Sequence, residues 1–266
     1  MYKYENMKIL KYILSSFFLA LTATCSVHAQ QEFKKLVWSD EFNYTGAPDS
    51  TKWKYQTGRG CPDNCGWGNN ELEYYTKDAK NSVVENGILK IRSAREEREG
   101  ALFTSGKLVT KGLFEFTYGR VEVRAKLPAE VGSWPAIWML GTNIDSVNWP
   151  RCGEIDIMEH RGKDLNLMFG TLHYPGHSGD NADGNKKMFK NISTELHIYS
   201  LEWSAASIKM LVDGVIVHEV ANNNNLPFNH DFFLILNLAM GGNFAGPIDA
   251  AVNGAEMQVD YVRVYQ

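Results

Sequence analysis

Two dipeptides, Asn86-Gly87 and Asp213-Gly214, each sit inside a run of alternating apolar and polar residues, 82–93 (SVVENGILKIRS) and 208–220 (IKMLVDGVIVHEV). Alternation at period two sends successive side chains to opposite faces of a strand. Asn-Gly and Asp-Gly suit the two consecutive positive φ angles of a type I′ turn, so both runs read as β-hairpins. The same period recurs along most of the chain, while apolar recurrence at i, i+3 and i+4 is nearly absent. Further strands are expected at 35–42, 113–117, 120–127, 136–140, 154–159, 167–174, 197–203, 232–239 and 257–265. About a dozen short strands, with no internal repeat and no linker rich in Pro, Ser or charge, favour one all-β antiparallel sandwich over two domains. The stretch 174–187, where Pro, Gly, Asp and Asn cluster without apolar period, is expected to be the least ordered.

The first 29 residues stand apart from that pattern. Lys3, Lys8 and Lys11 precede the apolar run 12–21, and Val27-His28-Ala29 supplies small residues at a cleavage position, which reads as a secretory signal peptide, 1–29. Removal takes away three lysines and one glutamate, so the formal net charge moves from −4 to −6. Neither value offers the basic excess that a nucleic-acid partner calls for. No transmembrane helix is expected, because no stretch approaches the roughly 20 apolar residues that span a bilayer. The protein is therefore expected to be exported: periplasmic, extracellular or at the cell surface. A competing reading makes Leu21-Thr22-Ala23-Thr24-Cys25 a lipobox and Cys25 a lipid anchor. In an oxidising compartment Cys61 and Cys65 can close a small disulfide ring across Pro62-Asp63-Asn64, which leaves Cys152 unpaired.

Chemistry concentrates in Gly153-Glu154-Ile155-Asp156-Ile157-Met158-Glu159-His160. On a strand Glu154 and Asp156 share one face, and Ile155 and Ile157 point to the other. Strict alternation would send Glu159 inward with the isoleucines, so a β-bulge at Met158 is needed to return it to the carboxylate face. Three like charges on one sheet face repel one another. Retaining glycoside hydrolysis gives a reason to tolerate them, since it needs a nucleophile and a general acid facing the same bond. Crowding of like charge also raises a carboxyl pKa, which keeps an acid protonated near neutrality. From spacing alone, a solvated strand face bearing three unrelated acids stands beside this reading.

The chain resembles glycoside hydrolase family 16, in its laminarinase-like branch with a bulged catalytic strand. The resemblance rests on Glu154 to Glu159 together with Gly132-Ser133-Trp134-Pro135-Ala136-Ile137-Trp138-Met139 and Trp149-Pro150-Arg151-Cys152-Gly153. It extends to Trp38-Ser39-Asp40-Glu41-Phe42, Gly68-Asn69-Asn70-Glu71-Leu72-Glu73-Tyr74-Tyr75-Thr76, Tyr118-Gly119-Arg120-Val121-Glu122-Val123-Arg124 and Asp260-Tyr261-Val262-Arg263-Val264-Tyr265. It implies a β-jelly-roll sandwich of two curved antiparallel sheets with a concave substrate cleft, formed by 30–266 as a single catalytic domain. It implies retaining endo-hydrolysis of β-1,3-glucan or mixed-linkage β-1,3-1,4-glucan by a monomer. Glu154 would be the nucleophile, Glu159 the acid/base and Asp156 the assisting carboxylate. A non-catalytic β-glucan-binding module shares the architecture but has no use for this trio, and a transglycosylase would use the same residues.

The resemblance also places Trp134, Trp138 and Trp149 as sugar platforms, and Asn70 and His173 as polar contacts to hydroxyls; for each indole, core packing is the competing role. No cofactor is needed for catalysis on this reading. A structural calcium would take oxygens from Glu41, Gly87 and Asp260, a donor set suited to a hard cation. His173 and His177 do not form a helical metal pair, because Pro175-Gly176 forbids a helix between them. Cys152 reads as a small buried residue rather than a nucleophile. Specificity at the cleft ends is expected to reside in the loops 59–67 and 174–187.

Overall fold

In the computed structural model, which describes residues 33–266, both hairpin turns have positive φ at each central residue: 54° and 77° at Asn86 and Gly87, 49° and 77° at Asp213 and Gly214. They join Ser82–Glu85 to Ile88–Arg98 and Ser207–Val212 to Val215–Ala221. The signal peptide and Cys25 lie outside the described residues. Among those described, no helix is long and apolar enough to cross a membrane.

The strands form two sheets. The outer sheet has ten strands, eight of them running in the order Val215–Ala221, Ser207–Val212, His197–Trp203, Gly119–Lys126, Gly254–Tyr265, Ile88–Arg98, Ala101–Ser105 and Glu73–Tyr75. Leu36–Asp40 and Ser82–Glu85 attach beside Gly254–Tyr265 and Ile88–Arg98. The second sheet has seven strands in the order Asp183–Met188, Leu167–His173, Glu154–His160, Ser133–Gly141, Phe232–Met240, Lys107–Val109 and Lys54–Tyr55. Pairing is antiparallel apart from Glu73–Tyr75, which lies parallel to Ala101–Ser105.

Alternation along each strand builds the core between the sheets. Val121, Val123 and Ala125 face inward from the outer sheet, while Ile155, Ile157 and Met168 face inward from the second. Phe232–Met240 is buried along its whole length. Its residues Phe232, Leu234, Leu236, Leu238 and Met240 join the core, whereas Phe233, Ile235, Asn237 and Ala239 turn to the opposite face and floor a cleft. Trp203 is fully buried between the sheets, and its indole N–H donates to the Phe228 carbonyl at 2.9 Å, so the ring brings no unpaired polar atom into the core.

Two sequence expectations need correction. Residues 113–117 form no strand: the amides of Leu113 and Phe114 both bond the Thr110 carbonyl in a turn, and only Phe116 bridges to Phe232. The apolar alternation there serves an aromatic stack, with Phe114 5.0 Å from Trp38 and 5.4 Å from Phe116. Within 174–187, Asp183–Met188 is an ordered edge strand paired to Leu167–Leu172. It lacks apolar period because neither of its faces meets the core; backbone hydrogen bonds hold it.

Candidate active site

The Glu154–His160 strand carries the bulge that the carboxylate pattern requires. Against Ser133–Gly141 the register runs Asp156 to Trp138 and then Met158 to Ile137; against Leu167–His173 it runs Asp156 to Thr171 and then Glu159 to Phe169. One extra residue is thus absorbed between Asp156 and Glu159. Ile155, Ile157 and Met158 are all fully buried in the core, and Glu154, Asp156 and Glu159 all line the cleft. That cleft encloses about 1780 Å³ over the seven-stranded sheet.

Each outer carboxylate is held by an indole. Trp149 Nε1 donates to Glu154 Oε2 at 3.0 Å. Trp134 Nε1 donates to Glu159 Oε1 at 3.1 Å, and Thr171 Oγ1 donates to Glu159 Oε2 at 3.3 Å. His173 Nε2 lies between the other two acids, 3.8 Å from Glu154 Oε1 and 3.2 Å from Asp156 Oδ2, without the alignment of a hydrogen bond. Burial first, and then the charge of Asp156, pushes the carboxyls of Glu154 and Glu159 up to about 8. Burial alone raises Asp156 to about 8. Three carboxyls this close resist being ionised together, so a proton is retained within the cluster near neutrality.

The remaining residues singled out from the sequence fall in several places. Trp134, Trp138, Trp149 and His173 line the cleft. Trp149 is 46% exposed, which sets it apart from the core tryptophans. Asn70 is exposed and donates from Nδ2 to Oδ1 of Asn243, a cleft-lining residue, at 2.9 Å, and its neighbour Asn69 lines the cleft and bonds Glu71. Cys61 and Cys65 form a disulfide, and Asn64 and Trp67 of the same loop line the cleft. Cys152 is buried, and burial together with the nearby Glu154 charge pushes its thiol up to about 12, away from nucleophilic character.

The calcium donors do not fit a cation as arranged. Glu41 binds Arg263 through both carboxylate oxygens, at 2.9 and 2.8 Å, and Asp260 pairs with Arg124 at 2.6 Å. Both carboxylates are thereby neutralised by guanidinium groups. In the cleft, Glu154, Asp156 and His173 place one donor atom each within 4.8 Å of one another, a spacing that could hold a metal.

A second polar group under the cleft escaped the sequence reading. Lys107 is buried, with its ammonium 4.0 Å from the Trp67 ring centre and 5.1 Å from that of Trp138. Burial lowers it to about 8, against the pull of Glu71 and Glu73. Those two carboxyls are themselves buried and raised by that burial. In the sequence they are marked only by acids two residues apart in Glu71-Leu72-Glu73.

The family model for glycosyl hydrolases family 16 matches residues 67–263. The chain belongs to this family. As a family 16 enzyme it is 38% identical over 274 residues to a β-glucanase of Rhodothermus marinus, covering 95% of this chain and 94% of that protein. Among solved structures, the catalytic domain of an endo-1,3-β-glucanase (laminarinase) from Thermotoga petrophila RKU-1 superposes with a TM-score of 0.81 at 42% identity, covering 87% of this chain and 97% of that one. LamA of Zobellia galactanivorans, solved in complex with laminaritriose and laminaritetraose, superposes with a TM-score of 0.81 at 41% identity, covering 88% of this chain and 100% of that one. The two-sheet sandwich is the jelly roll of this family, and the protein is a laminarinase-like endo-β-glucanase.

Proposed function

We propose that the protein cleaves internal bonds of β-1,3-glucan, and of mixed-linkage β-1,3-1,4-glucan, with retention of configuration. Glu154 attacks the anomeric carbon and forms a glycosyl ester, while Glu159 gives its proton to the departing glycosidic oxygen. Glu159 then takes a proton from water as that water displaces Glu154, restoring both carboxyls. Asp156, between them, steadies the protonation of its neighbours. The observation that carries this reading is the bulge, which sets Glu159 on the cleft face beside Glu154 and Asp156 with an indole donor on each outer carboxylate. The 1,3-β-glucan activity in the name of the Thermotoga relative supports the linkage.

Trp134, Trp138 and Trp149 supply flat apolar faces for pyranose rings, and His173 is placed to meet hydroxyls near the reacting ring. A metal on Glu154, Asp156 and His173 would occupy carboxylate oxygens that this chemistry needs, so Glu154 and Asp156 are assigned to the reaction with Glu159 and not to a metal. A monomer suffices, because every residue invoked comes from one chain. Export of the protein is supported by the Cys61–Cys65 disulfide, since such bonds persist in oxidising compartments. Products from laminarin, lichenan and cellulose measured in parallel test the linkage. Glu154→Gln should abolish the release of reducing ends while retaining polysaccharide binding; a variant as active as the parent would remove Glu154 from its role.

A further inference from the structure

Four side chains form one hydrogen-bonded line beneath the cleft, with Trp138, Asn237 and Glu71 bordering it and Tyr75 behind them. Trp138 Nε1 donates to Asn237 Oδ1 at 2.7 Å, Asn237 Nδ2 to Tyr75 OH at 2.9 Å, and Tyr75 OH to Glu71 Oε2 at 3.4 Å. The other oxygen of Glu71 accepts from Asn69 Nδ2 at 3.2 Å. Tyr75 is fully buried, and Asn237 and Glu71 are 6% and 7% exposed where they border the cleft, so water has little access to the hydroxyl that links them. An indole has one donor and no acceptor, which forces the Asn237 carbonyl toward Trp138. The amide nitrogen then faces Tyr75, and the tyrosine proton goes to Glu71. All three links run in the same sense and end on a carboxyl, an arrangement in which each bond strengthens the next.

The chain acts on the one member that lines the cleft with an aromatic face. Trp138 pairs in register with Asp156, so it lies one strand, about 4.8 Å, from the catalytic strand. Its N–H edge is fixed by Asn237, and its ring is covered from one side by the Lys107 ammonium at 5.1 Å. Two restraints of different direction define the plane of the indole.

We propose that Glu71, Tyr75 and Asn237 are positioning residues for substrate recognition, locking the Trp138 indole as a preformed platform for one glucose unit of the glucan. The proposal rests on the reading above that Trp138 touches substrate. A platform held before binding lowers the ordering cost of association, so its loss is felt in KM rather than in kcat.

Tyr75→Phe removes one hydroxyl without changing the ring. With β-1,3-gluco-oligosaccharides as substrates, KM rises roughly two- to tenfold, the equivalent of one hydrogen bond, while kcat stays within about twofold and the pH profile is unmoved. In a Trp138→Ala background the same substitution adds nothing further, because the platform is already gone. Glu71→Gln keeps an acceptor for the tyrosine proton and retains near-parental KM, whereas Glu71→Leu behaves like Tyr75→Phe; this pair serves if Tyr75→Phe proves unstable. An unchanged KM in Tyr75→Phe, a fall in kcat alone, or an undiminished effect in the Trp138→Ala background overturns the proposal. A parent protein that releases no sugar from any β-glucan overturns the underlying functional reading instead.

Discussion

Replacing Asp156 with Asn removes, with almost no change of shape, the group at the centre of the carboxylate cluster that takes on charge as pH climbs toward 8. The Asp156 charge is the second cause, after burial, of the raised carboxyls of both Glu154 and Glu159. Two unit charges about 6 Å apart at an effective dielectric of about 20 interact with roughly 3 kcal/mol. At about 1.36 kcal/mol per unit of pKa, and with part of that field screened by water in the cleft, both neighbours fall by about one to two pH units. The alkaline limb of kcat/KM reports loss of the proton from the acid, so it moves toward lower pH by that amount, on top of a lower plateau. Stability responds as well. Asp156 rises from an ordinary 3.8 to about 8 on folding, so its contribution is complete below about pH 4 and is lost as pH climbs through 8. Asn carries no such linkage, and the melting temperature of Asp156→Asn gains on the parent across that interval, by an amount equivalent to at most roughly 6 kcal/mol at the alkaline end. The assay is a pH–rate profile on laminarin paired with thermal unfolding from pH 4 to 9. An alkaline limb that stays in place, in a variant with measurable turnover, would show that the charge of Asp156 does not govern its neighbours.

Two further outcomes are expected. Trp149→Phe removes the donor to Glu154 Oε2 while keeping an aromatic face, and kcat/KM should drop roughly tenfold, the worth of one hydrogen bond to a charged group; equal activity would detach Trp149 from the carboxylate. Chelation should leave the melting temperature unchanged, because Arg263 and Arg124 already neutralise Glu41 and Asp260; a drop of several degrees on adding chelator would mean that a cation displaces those arginines.

The sequence exposed the parts of this molecule that depend on neighbours along the chain. Asn86-Gly87 and Asp213-Gly214 announce their hairpins because a turn is a local object. The carboxylate strand is legible for a related reason: strict alternation fails at Met158, and the failure itself predicts the bulge. Residues 113–117 mislead because alternation reports only that side chains face a common apolar surface, and here that surface is an aromatic stack rather than a sheet. Asp183–Met188 misleads in the opposite direction, since an edge strand outside the core needs no apolar pattern. Tyr75 and Asn237 lie 162 positions apart, and nothing local to either says that one bonds the other. Asn70 and Asn69 are adjacent and chemically identical, and nothing local says that Asn69 bonds Glu71 while Asn70 bonds Asn243.

The rim strand Asp183–Met188 has a consequence for how such an enzyme diversifies. Among the described residues it pairs with Leu167–Leu172 alone, and it is tied by side chains near its two ends: Asp183 accepts from Tyr174 OH at 2.9 Å and bonds His218 Nε2 at 3.1 Å, and Lys187 Nζ donates to the Ile216 carbonyl at 3.2 Å. Gly184, Asn185 and Lys186 nonetheless border the cleft. Insertions or exchanges between Asp183 and Lys187 therefore reshape one bank of the substrate channel without disturbing the packing between the sheets. The floor strand Phe232–Met240 has no such freedom, being core on one face and cleft on the other. Variation selected for new glucan chain lengths should accumulate on the rim while the floor stays nearly constant.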